Sequence, residues 1–87
     1  MYVAKIIVTL RKSILDPQGK AVHHALESLS MNEIREIRMG RFIEMKIDAP
    51  DETAARKLAD DACRKLLANP VMEDYSFMIE SVEGGGG

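Results

Sequence analysis

The sequence predicts an α+β domain with two helices on one face of a mostly antiparallel sheet, in the two-layer order β-α-β-β-α-β. Three observations carry this. Positions 2–10 alternate between apolar and mixed side chains, the period of a strand. Between Pro50 and Asn69 the apolar residues fall at helical spacing, with charges on the remaining face. Positions 74–82 return to alternation.

In the first strand Tyr2, Ala4, Ile6, Val8 and Leu10 share one face, and Val3, Lys5, Ile7 and Thr9 the other. Asp16-Pro17 then reads as a helix start: the Asp side chain accepts from unpaired N–H groups, and Pro has no N–H to leave unpaired. Val22, Ala25, Leu26 and Leu29 form one stripe of that helix. Positions 34–48 are β-rich, and Gly40 marks either a tight turn between two strands or a bulge in one bent strand. Arg41 shares the face of Ile43, Met45 and Ile47.

The second helix opens on Pro50, Asp51 and Glu52. It carries two adjacent apolar rows, Ala54/Leu58/Ala62/Leu66 and Ala55/Ala59/Cys63/Leu67. Four opposite-charge i, i+4 pairs are expected on its solvated face: Arg56–Asp60, Lys57–Asp61, Asp60–Arg64 and Asp61–Lys65. In the last strand Tyr75, Phe77 and Ile79 lie on one face, with Met78 and Val82 on the other. Positions 1–83 are expected to form one domain, and 84–87 a flexible glycine tail.

The helices can cover only one sheet face, yet the outer strands are apolar on both. A chain of 87 residues has nothing left to cover the second face. Val3, Ile7, Met78 and Val82 are therefore expected to form an interface, most simply with a second copy.

Composition narrows the function. A net charge of −2 gives no reason to expect nucleic acid or an anionic membrane as partner. The N-terminus enters a strand without a signal-peptide layout, and one free thiol suits a reducing compartment, so a cytoplasmic location is expected. No Cys/His/carboxylate cluster has metal-ligand spacing, and no glycine motif cradles a phosphate. No nucleophile–base arrangement stands at a local motif, so no catalytic residue is assigned. Cys63, in an apolar stripe, reads as a structural thiol. His23 and His24, neighbours on a helix, point apart and read as rim residues. A small-molecule-binding regulatory domain of similar topology remains the alternative function, since fold alone does not settle it.

Three stretches carry a resemblance. The first is Leu15-Asp16-Pro17-Gln18-Gly19, followed by Ala21-Val22 and Ala25-Leu26; the second is Ile37-Arg38-Met39-Gly40-Arg41. The third is Cys63-Arg64-Lys65-Leu66-Leu67-Ala68-Asn69-Pro70-Val71, then Glu73-Asp74-Tyr75. In order and spacing they resemble the PurS family, the small subunits of phosphoribosylformylglycinamidine (FGAM) synthase. Arg41 stands where the family usually has lysine, and Met31 near a common glycine.

The resemblance implies a homo-oligomer, dimer or tetramer. It would bridge a PurL-type synthetase subunit, which uses ATP and magnesium, and a PurQ-type glutaminase subunit. It would support ammonia transfer between them in de novo purine biosynthesis, with no cofactor bound by this chain. Within that reading Asp16, Pro17, Gln18, Gly19, Arg38, Arg41, Asn69, Pro70 and Glu73 are the candidate partner contacts. For the arginines, a weak surface ion pair within the chain is the competing reading.

Overall fold

A computed structural model describes residues 1–82, so the glycine tail expected at 84–87 lies outside the described residues. Among the described residues three strands are formed: β1 (Tyr2–Leu10), β2 (Gly40–Ile47) and β3 (Glu73–Ser81). Helix α1 spans Pro17–Ser28 and α2 spans Glu52–Ala62, the latter running into a π-helical turn at Cys63–Leu67. The sheet order is β2-β1-β3, with both pairings antiparallel, so β1 is central and the other two are edges.

Register decides which side chains meet. Ile6 stands opposite Ile43 on one side and Phe77 on the other, and Ala4 opposite Met45 and Ile79. This row faces α2. The buried core is Ala4, Ile6, Val8, Ile47, Ala55, Ala59, Cys63 and Ala68, with Tyr75, Phe77 and Ile79 packed half-buried against it. The alanines of α2 let the helix sit close to the strands, where larger side chains would hold it off.

The expected class, two helices with an antiparallel sheet, stands. The sheet has three strands rather than four, because 34–39 carries no ladder. The reason is the length of β1. Its pairing with β2 ends at Thr9↔Gly40, and beyond that point no strand remains for 34–39 to pair with. Gly40 is thus neither a turn between strands nor a mid-strand bulge, but the first residue of β2. A Cβ there would come within 2.6 Å of the Val8 carbonyl oxygen, so the close backbone approach requires glycine.

The helices are unequally used. In α2 and the turn that continues it the Ala55/Ala59/Cys63 row is buried, whereas Leu58 and Leu66 of the neighbouring row are exposed. Asp51 is the N-cap, its carboxylate accepting from the Ala54 N–H at 2.8 Å, so Pro50 precedes the helix rather than opening it. Of the four expected ion pairs only Asp60–Arg64 forms, at 3.0 Å. Arg56 turns back to Glu52 at 3.3 Å, and Arg64 also meets Asp61. Asp60 is drawn inward because the Tyr75 hydroxyl donates to it at 2.5 Å.

Helix α1 begins as expected, with Asp16 as N-cap and Pro17 in the first turn. It buries no side chain, and its only buried residue is Gly19. With residues 29–39 it forms an arm that makes no extended contact with the strands or α2. The radius of gyration is 16.8 Å, against roughly 12 Å for a compact chain of this length.

Candidate functional site

The arm joins the body at a junction centred on Asp16. Its carboxylate is buried and divided between two segments: Oδ1 accepts from the Gly19 N–H at 2.9 Å, and Oδ2 from the Met39 N–H at 2.7 Å. The first bond is an ordinary helix cap. The second ties the start of α1 to the chain entering β2. These two N–H groups, Gly19 first, hold the carboxyl below the ordinary aspartate range, with Arg38 adding to the effect. Gly19 is required here, because a Cβ would fall 2.4 Å from the Ile37 carbonyl oxygen.

Arg38 closes the same junction from the other side. Its Nη2 donates to the carbonyls of Leu10, at 3.1 Å, and Arg11, at 2.8 Å, where β1 ends. Arg41, at the start of β2, reaches the end of the π-helical turn. Its Nη2 donates to the Leu67 carbonyl at 2.8 Å and to Glu73 Oε1 at 3.0 Å. The same Glu73 oxygen accepts from the Asn69 N–H at 2.8 Å, while Asn69 Oδ1 accepts from the Val71 N–H at 2.9 Å. Pro70 offers its carbonyl to Arg11 Nη2 at 2.7 Å.

Both arginines are therefore engaged by their own chain through one nitrogen each, which leaves the rest of each five-donor fork for another group. Asp16, Gln18, Gly40, Arg41 and Glu73 line one cleft at this end of the sheet. A second cleft opens on the other side of Asp16, between the 12–16 loop, the first turns of α1 and 35–38. Pro17 and Pro70 are exposed at the rim. All three sequence stretches that carry the family resemblance contribute to this junction.

On the open face of the sheet, the residues expected to form an interface differ in exposure. Ile7 is 51% and Met78 64% exposed, while Val3 is half-buried. Val82 lies beyond β3, half-buried, with its N–H donating to the Met1 carbonyl at 2.8 Å. The sequence reading passed over Phe42, which is 60% exposed and directly opposite Ile7. The signal was present: alternation from Ile43 places Phe42 on the face of Glu44 and Lys46, where it is the one large apolar side chain of β2. Other exposed apolar side chains were also missed: Leu58 on α2, Leu66 on the π-helical turn and Val71 in the loop after it stand exposed, because one helical row fills the core.

Neither of the other flagged groups joins the junction's hydrogen bonds. Cys63 is buried, and burial, with Asp60 adding, pushes its thiol up. His23 is half-buried and donates from Nε2 to the Ile34 carbonyl at 2.7 Å, pinning the arm's outgoing chain to α1. Among the described residues no group of three or more His, Cys, Asp or Glu side chains could hold a metal ion, and no helix is long and apolar enough to cross a membrane.

Comparison with known proteins gives a consistent result. The family model described as PurS, phosphoribosylformylglycinamidine (FGAM) synthase, matches residues 3–81. The Bacillus subtilis protein named phosphoribosylformylglycinamidine synthase subunit PurS is 45% identical over 82 residues, covering 94% of this chain and 96% of that one. The Methanocaldococcus jannaschii protein of the same name is 34% identical, covering 95% and 100%. The solved structure of B. subtilis PurS superposes with a TM-score of 0.84 at 44% identity, over 93% of this chain and all of that one. A chain in the structure of PurLQS from Thermotoga maritima superposes with a TM-score of 0.82 at 26% identity, over 92% and 99%.

Proposed function

This chain belongs to the PurS family, and from that membership we propose that it is the non-catalytic assembly subunit of FGAM synthase. It bridges the ATP- and magnesium-using synthetase subunit and the glutaminase subunit, binding no cofactor itself, and it supports ammonia transfer between them in purine biosynthesis in the cytoplasm. The observation that carries this reading is the distribution of apolar surface. A chain of 87 residues exposes large apolar side chains in three parts of the fold: Ile7, Phe42 and Met78 on the open sheet face, Leu58, Leu66 and Val71 on α2 and the chain after it, and Leu15, Val22, Leu29 and Met31 on the arm and the loop that leads into it. A subunit that touches one neighbour needs one such surface; a bridge needs more. The relatives compared above share one subunit name, which leaves the regulatory-domain alternative without support.

The open sheet face is assigned to a second copy. Lys5 and Lys46 alternate there with Glu44 and Glu80, so a two-fold pairing can set opposite charges around an apolar centre. The Asp16 junction and the outer side of α2 then remain for the synthetase and the glutaminase. Holding the two in register keeps ammonia at high effective concentration near its acceptor.

The test is reconstitution. With synthetase and glutaminase present, adding this chain should raise glutamine-dependent amidation while leaving the reaction with free ammonia unchanged. Equal use of glutamine with and without the chain would overturn the proposal.

A further inference from the structure

The cleft between the 12–16 loop, α1 and 35–38 has a charge pattern that assembly does not explain. It is an open groove of about 420 Å³, a volume comparable to that of small-ligand sites. Its lining includes Lys12, Lys20, Arg35 and Arg38, against the carboxylates of Asp16 and Glu36. This is a local positive excess on a chain of net charge −2.

In the body Lys5, Arg11, Arg41, Arg56 and Arg64 each pair with a carboxylate, while Lys46, Lys57 and Lys65 stand unpaired and line no common cleft with the four. Among the described residues Lys12, Lys20, Arg35 and Arg38 form no ion pair. Asp16 accepts no hydrogen bond from them, since both of its oxygens are taken by backbone N–H groups, and its charge is felt by Arg38 alone of the four. That same cap occupies the start of α1, so the helix end is not what would attract a ligand. Arg38 is already fixed by two carbonyls, which orients its remaining donors before anything binds.

We infer that this cleft binds a small phosphate-bearing anion, a phosphate monoester or inorganic phosphate. Two lysines as point charges and two planar guanidinium forks, set around a small volume, suit a compact ligand carrying about −1.5 to −2 charges. A monocarboxylate would leave most of those donors unmatched. The inference concerns the isolated chain and does not depend on the synthetase or glutaminase.

Amide NMR shifts of the full chain test it, with inorganic phosphate and glycerol 3-phosphate titrated separately at about 150 mM salt, where exposed charges are screened. The expected result is saturable shifts confined to residues 12–20 and 35–38, with Kd on the order of 1 mM or tighter. Tighter binding of glycerol 3-phosphate than of phosphate would assign the site to a monoester, and the reverse to the free ion. Lys20→Gln with Arg35→Gln, both exposed and outside the junction's hydrogen bonds, should weaken binding at least about tenfold. Lys57→Gln on α2 with Lys65→Gln on the turn after it should leave it unchanged. Shifts that follow added chloride equally, spread over all lysines, or survive the Lys20/Arg35 variant would overturn the inference. So would binding of a polyglutamate peptide in place of phosphate.

Discussion

The body and the arm of this molecule are held together by different forces. In the body, eight apolar residues from β1, β2, α2 and the turn after it are buried in one cluster. In the arm and the loop that leads into it, positions 13–39, the only buried residues are a carboxylate and a glycine, Asp16 and Gly19. Burial is non-directional and survives small shifts, whereas the arm depends on a few bonds made at defined positions. The arm should therefore open locally at lower free energy than the body, and be the half that a partner stabilises most.

The largest effect should come from the body. Ile6→Ala removes the side chain at the centre of the sheet and is expected to lower stability by about 2–5 kcal/mol in urea denaturation. Since the arm is anchored at the end of β1, both regions should unfold with it. Next comes the open face. Phe42→Lys or Ile7→Lys should weaken self-association by about 2 kcal/mol or more, roughly 30-fold in Kd, read as a fall in mass by light scattering on dilution. Unchanged mass would mean that the sheet face is not the site of self-association.

Gly19→Ala separates the two regions directly. Forcing a Cβ against the Ile37 carbonyl should destabilise by about 1–3 kcal/mol. Hydrogen exchange should quicken at 17–39 and stay unchanged at Ile6 and Val8. Equal quickening in the body would refute the distinction between the halves. The smallest effect is in pH. The folded pKa of Asp16 lies below its unfolded value of about 3.9, so its stabilisation is present above that value and is lost as pH falls through the folded one. The arm should loosen in acid before the body does. Asp16→Asn should abolish that acid step and show faster exchange in the arm already at neutral pH, since an amide has one acceptor oxygen for two N–H donors.

How much of this was legible in sequence follows the same division. β1, α2 and β3 were readable because burial imposes a period, and Ile6, Ala59 and Phe77 fall where that period puts them. The start of α1 was readable from Asp16-Pro17, since capping chemistry is local. The second bond of Asp16, to Met39, was not, because no local pattern encodes a partner 23 residues away. Positions 34–39 misled for a related reason: apolar alternation specifies a strand-like pattern but not whether a neighbouring strand is long enough to pair with it. Among the candidate site residues, Asp16, Arg41, Asn69 and Glu73 were recognisable through family resemblance, while their mutual distances came only from the fold.

The dimensions of the chain have a consequence of their own. It is 51 Å long and 29 Å wide but 15 Å deep, with its apolar surfaces distributed over more than one side. In the bridging role proposed above, a slab of that shape would act as a shim: its breadth would give two large bodies footing against rotating on one another, while its depth would set the smallest gap between them. A subunit that lacked the arm would keep the depth and lose the footing, so clamped neighbours would stay close yet turn freely.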